Sequence, residues 1–131
     1  MTDESTYGEF ELKRFLGMQL DGDEPGRARA RVTIDERHHN PNGVAHGAVL
    51  FALVDTAMGK ATMSVLAEGQ YCASVEVHLR FIRPAGDGEL VAEVEVLKAG
   101  RSVVHLEGRV HDAEDRLIAT ASGAFAVIGA P

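Results

Sequence analysis

Two residues of one predicted helix carry the chemistry needed to act on a carbonyl group. Gly47 falls where the helix begins, so its backbone N–H has no acceptor within the helix and lies at the positive end of the helix dipole. Such a donor suits an oxygen that gains negative charge under attack. Asp55 follows eight residues later in a segment that is otherwise nearly all apolar. Its ionised carboxylate can attack a carbonyl carbon or take a proton from water.

The helix that carries both residues is predicted over residues 45–66. This stretch has no proline and is rich in Ala, Leu, Met and Val. Apolar side chains surround almost its whole circumference, which is typical of a helix in the middle of a fold. Many positions hold small residues, so a sheet can approach the helix backbone closely.

The rest of the chain reads mainly as strands. Alternating apolar and polar residues predict strands over 27–34, 71–83, 89–97, 101–111 and 116–127, with residues 17–21 pairing with the first of these. Short turns join the last three, which should therefore be antiparallel neighbours. A short helix ending at Gly17 is expected within residues 7–16, after a loose tail over 1–7. The prediction is a single α+β domain over 1–131, with an antiparallel sheet of five or six strands wrapped around one long central helix.

The spacing of residues around the two helix positions resembles a known family. The pattern Asn40-x-x-Gly43-x-x-His46-Gly47, followed by Asp55, is similar to that of hot-dog-fold acyl-CoA thioesterases, closest to the PaaI-like branch of the phenylacetate pathway. Agreement continues through the segments 73–76, 81–85 and 96–101, so the resemblance covers about residues 30–128. Ala48 departs from the family, which usually has a second glycine there. Because alanine keeps its backbone N–H, the departure affects only how closely the backbone can pack at this position.

The resemblance implies a role for each candidate catalytic residue. It assigns the oxyanion hole to the Gly47 N–H, substrate or water orientation to Asn40, and the role of nucleophile or general base to Asp55. It also implies that Ser74 holds the attacking water, although strand alternation alone makes Ser74 an outward-facing serine. His46 is expected to shape the loop rather than to transfer protons.

A coenzyme A substrate carries a pyrophosphate and a 3′-phosphate, which need local cations. The resemblance places coenzyme A near the segment around Arg83 and near residues 98–101. The candidate contacts are Arg80, Arg83, Lys98, Gly100 and Arg101. No cofactor is expected, because coenzyme A is part of the substrate.

Composition and charge exclude several other classes of protein. Thirteen Lys and Arg against 20 Asp and Glu give a net charge of −7, which disfavours nucleic acid as a partner. Cys72 is the only cysteine, so no internal disulfide is possible. His38, His39 and His46 lack the spacing and further ligands of a metal site. The acidic start of the chain is unlike a signal peptide and no long apolar run occurs, so we expect a cytoplasmic protein without a membrane span.

These observations favour an acyl-CoA thioesterase over two alternatives, a hot-dog acyl-CoA hydratase or dehydratase and a non-catalytic acyl-CoA-binding protein. Eight residues of helix separate Gly47 from Asp55 by about 12 Å along the helix axis. One chain should therefore not bring its own Asp55 to a carbonyl bound at its own Gly47. We expect a homodimer with sites shared across the interface, and by the resemblance a dimer of dimers.

Overall fold

The computed structural model of the protein describes residues 9–22 and 24–131. Helices, strands and one 3-10 turn follow each other along this part of the chain: α1 (Glu11–Leu16), β1 (Gln19–Asp21), β2 (Arg27–Ile34), the 3-10 turn (Glu36–His38), α2 (Gly47–Met63), β3 (Tyr71–Phe81), β4 (Gly88–Ala99), β5 (Val103–Asp112) and β6 (Leu117–Ile128). The expected tail over residues 1–7 lies outside the described residues.

The six strands form one antiparallel sheet in the order β1-β2-β4-β5-β6-β3. The predicted pairing of β1 with β2 and the predicted neighbours β4, β5 and β6 are confirmed. Among the strands of the described residues, β3 pairs only with β6, so this 11-residue strand is an edge of the sheet. The other edge, β1, has only three residues.

Helix α2 packs mainly against β2, β3 and β4 and supplies much of the core. The helix has 17 residues and is shorter at both ends than predicted. It begins late because Ala45 pairs with His39 in an isolated β-bridge and His46 is an extended N-cap. It ends early because the Ser64 hydroxyl donates to the Ala61 carbonyl at 2.6 Å and accepts from the Gly26 N–H at 2.8 Å. These two bonds fasten the end of the helix to the start of β2.

One face of α2 stays open, contrary to the expectation of a helix covered all round. Leu53, Val54 and Met58 have no exposed surface. Phe51 is 42% exposed, Ala48 is exposed, and Asp55 is half-buried. The sheet therefore covers only part of the circumference.

The remaining boundaries differ from prediction by a few residues. Helix α1 spans six residues rather than ten, and Gly17 ends it in the left-handed conformation with φ of 75°. Strand β3 stops at Phe81 because the N–H groups of Ile82 and Arg83 turn to the Ile118 carbonyl. Arg83 therefore lies beyond the sheet rather than in its edge strand.

Candidate active site

The loop before α2 is held by buried and backbone hydrogen bonds. The His38 imidazole is buried, with Nε2 2.8 Å from the Leu16 carbonyl oxygen and Nδ1 accepting from the Asp35 N–H. The His46 N–H donates to the His38 carbonyl, and the Ala45 N–H donates to the Ala85 carbonyl. These bonds fix the point at which the chain enters the helix.

Asn40 organises the turn that leads into this entry point. Its Oδ1 accepts from the Asn42 N–H at 2.8 Å and from the Val44 N–H at 3.4 Å. Its backbone N–H donates to the Val44 carbonyl. With Oδ1 committed to the loop, only the Nδ2 amide of Asn40 is left to contact a substrate.

Gly47 is the first residue of α2, as the candidate oxyanion donor requires. His46 caps the helix, and its Nδ1 accepts from the Ala48 N–H at 2.9 Å. No acceptor within residues 9–22 and 24–131 takes the N–H of Gly47. The aromatic ring of Phe81 covers the glycine so closely that a Cβ atom at position 47 would lie 3.2 Å from its Cζ. Gly47 thus offers a free donor at the positive end of the helix, beside a flat apolar wall.

Asp55 lies on the open face of α2, two turns after Gly47. Its Oδ1 is buried and has no hydrogen-bond partner within the described part of the chain. Burial raises the pKa of the carboxyl group above its usual 3.8, and a hydrogen bond from the Ser74 side chain partly offsets this by lowering it. A partly desolvated carboxylate oxygen without a partner is a stronger base than one in water.

Ser74 reaches Asp55 because of a β-bulge in β3. Ser74 pairs with Phe125 and Glu76 pairs with Ala124, so Val75 is an extra residue on this strand. The bulge reverses the alternation: Val77 and Leu79 pack against the core, and Ser74 faces α2 as well. The expectation that strand alternation points Ser74 outward is wrong for this reason.

The structure brings Asp55 and Ser74 together but leaves Gly47 apart from them. The helix between Gly47 and Asp55 is continuous, so the two residues are about 12 Å apart along its axis. A concavity of about 740 Å³ in the single chain is elsewhere, on the outer face of the sheet around Arg29, Glu93 and Arg109. Within one chain, the two candidate catalytic groups therefore lie at separate places.

The candidate coenzyme A contacts are not gathered in one chain either. Strand β3 runs parallel to β5, because each is antiparallel to β6. Arg83 follows the end of β3, whereas Lys98, Gly100 and Arg101 precede the start of β5, so they lie at opposite ends of the sheet. The separation is roughly 30 Å, the length of a ten-residue strand. Arg80 alternates with the inward-facing Leu79 and lies on the outer face opposite Thr120.

The other titratable candidates have structural partners. His39 Nε2 lies 2.5 Å from Asp87 Oδ1, and no cluster of metal-binding side chains occurs in the described residues. Cys72 Sγ lies 3.9 Å from the Gly59 carbonyl oxygen. Burial and the Asp55 charge raise the pKa of the Cys72 thiol to about 11, which keeps it protonated and unreactive at neutral pH.

A family model of the thioesterase superfamily matches residues 42–119, more than half of the chain. The chain belongs to the thioesterase superfamily. The matched region of this thioesterase contains Gly47, Asp55 and Ser74, while Asn40 precedes it. The protein is therefore a thioester hydrolase, which decides against the hydratase and the binding protein.

Individual relatives of this thioesterase agree in sequence and in fold. The proofreading thioesterase EntH of Klebsiella pneumoniae is 31% identical over 106 residues, which cover 81% of this chain and 77% of EntH. A conserved protein of Pseudomonas aeruginosa has a structure with a TM-score of 0.90 and 28% identity, covering 96% of this chain and all of the other. The PaaI protein from the phenylacetic acid degradation operon of E. coli shares the fold, with a TM-score of 0.87 and 24% identity over 95% of this chain and 89% of PaaI. The predicted hot-dog fold and the resemblance to thioesterases are confirmed.

Three residues beside the candidate site were not predicted from the sequence. Phe81 packs on Gly47, Val75 forms the bulge that turns Ser74, and Phe51 stands exposed between Gly47 and Asp55. Only Phe51 could have been found from the sequence. Its spacing of four residues from both Gly47 and Asp55 places it on the same side of the helix as these two residues. None of the described helices is long and apolar enough to cross a membrane.

Proposed function

We propose that the protein hydrolyses acyl-CoA thioesters to a carboxylic acid and free coenzyme A, with Asp55 as nucleophile or general base and the Gly47 N–H as oxyanion hole. The observation that carries the proposal is the half-buried Asp55 carboxylate on the open face of α2, whose buried Oδ1 has no hydrogen-bond partner in the described residues. Membership of the thioesterase superfamily supplies the reaction class.

The chemistry requires Asp55 in its ionised form by either route. As a general base, Asp55 takes a proton from water, the resulting hydroxide attacks the thioester carbon, and the C–S bond breaks to release the thiolate. As a nucleophile, Asp55 forms a mixed anhydride with loss of the thiolate, and water then hydrolyses the anhydride. In both routes the carbonyl oxygen becomes negative and is stabilised by the Gly47 N–H.

Each site is proposed to draw on two chains. The 12 Å between Gly47 and Asp55 exceeds the approach of about 3–3.5 Å that attack requires. A two-fold axis with antiparallel α2 helices places Asp55 of one chain beside Gly47 of the other, twice per dimer. The long unpaired edge of β3 supports this dimer, because an exposed edge strand is a template for pairing with another chain.

The same two-fold axis would bring together the candidate coenzyme A contacts, which lie at opposite ends of the sheet within one chain. Antiparallel pairing of two β3 edges brings the end of one β3 to the start of the other. The partner subunit's Arg83 then comes to the end of the sheet that carries Lys98, Gly100 and Arg101, where one coenzyme A could contact both groups. Arg80 stays on the outer face in this arrangement, so its proposed contact with coenzyme A is the least supported. The dimer of dimers remains a prediction.

The decisive experiment is a panel of aryl and straight-chain acyl-CoAs with detection of the free thiol released. Asp55→Asn serves as the matched control, since it keeps the shape of the side chain and removes its charge. We expect hydrolysis of at least one class of substrate by the wild-type protein and almost none by Asp55→Asn. No release of thiol from any substrate by a folded wild-type dimer would contradict the proposed function.

A further inference from the structure

Phe51 has an unusual position on the open face of α2. It lies four residues after Gly47 and four before Asp55, so the three residues follow one another along one side of the helix. Its aromatic ring is 42% exposed, although Leu50, Leu53 and Val54 next to it are buried. In the proposed dimer, this exposed aromatic side chain between the two halves of the site would face a partner, as aromatic residues at the centre of interfaces commonly do.

The axis proposed above identifies this partner. A two-fold axis that places Asp55 of each chain beside Gly47 of the other must cross the helices midway between positions 47 and 55. The residue at the midpoint is Phe51, and a residue on a two-fold axis lies opposite its own copy. The exposed ring of Phe51 therefore meets the partner subunit's Phe51.

The same axis determines which part of strand β3 lies at the interface. Phe81 at the end of β3 covers Gly47, and Ser74 near its start contacts Asp55. The axis must therefore also pass midway between Ser74 and Phe81, close to Val77 in the middle of the unpaired edge. One two-fold axis can therefore pair both the open face of α2 and the edge of β3 with their copies in the partner subunit.

Building on the proposed function, we propose that the two Phe51 rings pack together on the axis and form the common wall between the two acyl pockets. Each Gly47–Asp55 site is then about 6 Å from the ring pair, one helical turn away. Because the charged coenzyme A must stay at the surface, its acyl group points inward, toward the axis. Phe51 therefore limits the size of the acyl group that fits.

Cross-linking tests the position of the axis without measuring activity. In a Cys72→Ala background, a short bis-maleimide should join the two copies of the Phe51→Cys variant, because two packed rings hold their Cα atoms farther apart than a disulfide can bridge and the linker spans that gap. Ala48→Cys is the matched control on the same open face. Its two copies are separated by about 9 Å more along the helix axis, so the same linker should join few or none of them.

Substrate preference tests the role of the ring pair. In Phe51→Leu and Phe51→Ala, we expect the ratio of kcat/KM for bulky over short acyl-CoAs to rise by about tenfold or more, since filling or opening a pocket by a few carbons has effects of this size. A purely structural role would lower kcat/KM for all substrates alike and leave the ratio unchanged.

The two proposals can fail separately. Suppose that the wild-type protein hydrolyses acyl-CoAs and Asp55→Asn does not, but the Phe51→Cys variant fails to cross-link in an intact dimer or the substrate ratio does not move. The inference about Phe51 is then wrong and the proposed function stands. If no acyl-CoA is hydrolysed, the proposed function fails, and cross-linking at position 51 still decides whether the axis is correct.

Discussion

Asp55 combines a charge with a partly buried position, so function and stability make opposite demands on it. Burial raises its pKa in the folded protein above the usual 3.8. The protonated form is therefore the one that folding favours. The contribution of Asp55 to stability is fully present below the unfolded-state pKa and is lost as the pH rises through the folded-state pKa. At neutral pH the protein keeps a destabilising carboxylate, which is the form that the proposed reaction uses.

We predict that Asp55→Asn is inactive and more stable than the wild type at neutral pH. Turnover should fall at least about a hundredfold, as expected for the loss of a positioned base or nucleophile. The stability advantage should shrink as the pH falls toward about 4 and below, where the wild-type carboxyl group is protonated as well. Thermal unfolding followed by circular dichroism between about pH 3 and 8 measures the effect.

Asp112→Asn is the control with the opposite sign. Hydrogen bonds from Arg116 lower the pKa of the Asp112 carboxyl group. Its contribution to stability is therefore present above the unfolded-state pKa and lost as the pH falls, so this variant should be less stable than the wild type at neutral pH. If Asp55→Asn lowered the stability at neutral pH as much as Asp112→Asn does, the buried Asp55 carboxylate would not be destabilising the folded protein.

We predict that Ser74→Ala moves the acid limb of the pH–rate profile to higher pH. The hydrogen bond from Ser74 lowers the pKa of Asp55, so its removal should let burial raise that pKa further. Turnover at neutral pH should fall roughly tenfold, since holding a water is a supporting role. Ser122→Ala, an exposed serine on the neighbouring strand, should change neither quantity. If turnover fell tenfold but the acid limb did not move, Ser74 would not act through the pKa of Asp55.

At the scale of elements, the contact between α2 and β3 sets the shape of the proposed oxyanion hole. Phe81 belongs to β3, and its ring stands where a side chain at position 47 would have to go. Because the obstacle is the far end of a flexible side chain, a Cβ atom could be accommodated by a shift of a few tenths of an ångström. The glycine is needed for fine positioning rather than for folding.

We predict that Gly47→Ala folds normally and loses about tenfold in kcat/KM, because small misplacements of a substrate are costly. The double variant Gly47→Ala/Phe81→Leu should recover part of this loss, since a smaller side chain relieves the contact. Phe81→Leu alone provides the fourth corner of a double-mutant cycle. Strictly additive losses would show that the contact between the two residues does not affect the reaction.

The elements themselves were largely readable from the sequence, because local patterns determine them. Apolar composition without proline predicted α2, and alternation with short turns predicted β4, β5 and β6 as neighbours. The bulge at Val75 was not readable, since an extra residue in one strand is defined only by its pairing with β6. The open face of α2 was also not predicted, because its exposed residues Ala48 and Phe51 are apolar, as buried residues usually are. Apolar composition alone does not distinguish a helix face that packs in the core of its own chain from one that packs against a second chain, as we propose for Phe51.

At the scale of the whole molecule, the chain has two exposed features that point to the same partner. The edge of β3 lacks a neighbouring strand in the described residues, and Val75 and Phe81 on that strand are more than half exposed. The open face of α2 carries Asp55 apart from the proposed oxyanion donor. In the proposed dimer, a second copy of the chain covers both features at once.

The last prediction is that two inactive variants restore each other's activity. Asn40→Ala removes the acceptor of the Asn42 and Val44 N–H groups, and so disturbs the loop that leads to Gly47. Asp55→Ala removes the carboxylate. Co-refolding the two variants makes about half of the dimers mixed, and each mixed dimer has one intact site of two, so about a quarter of wild-type activity should return. Mixing Asp55→Ala with Asp55→Asn is the matched control, because both defects fall in the same half-site and no intact site can form. If the first mixture stays as inactive as its parents while subunit exchange is verified by mass spectrometry, Asp55 and Gly47 must act within one chain, and α2 would have to break between them.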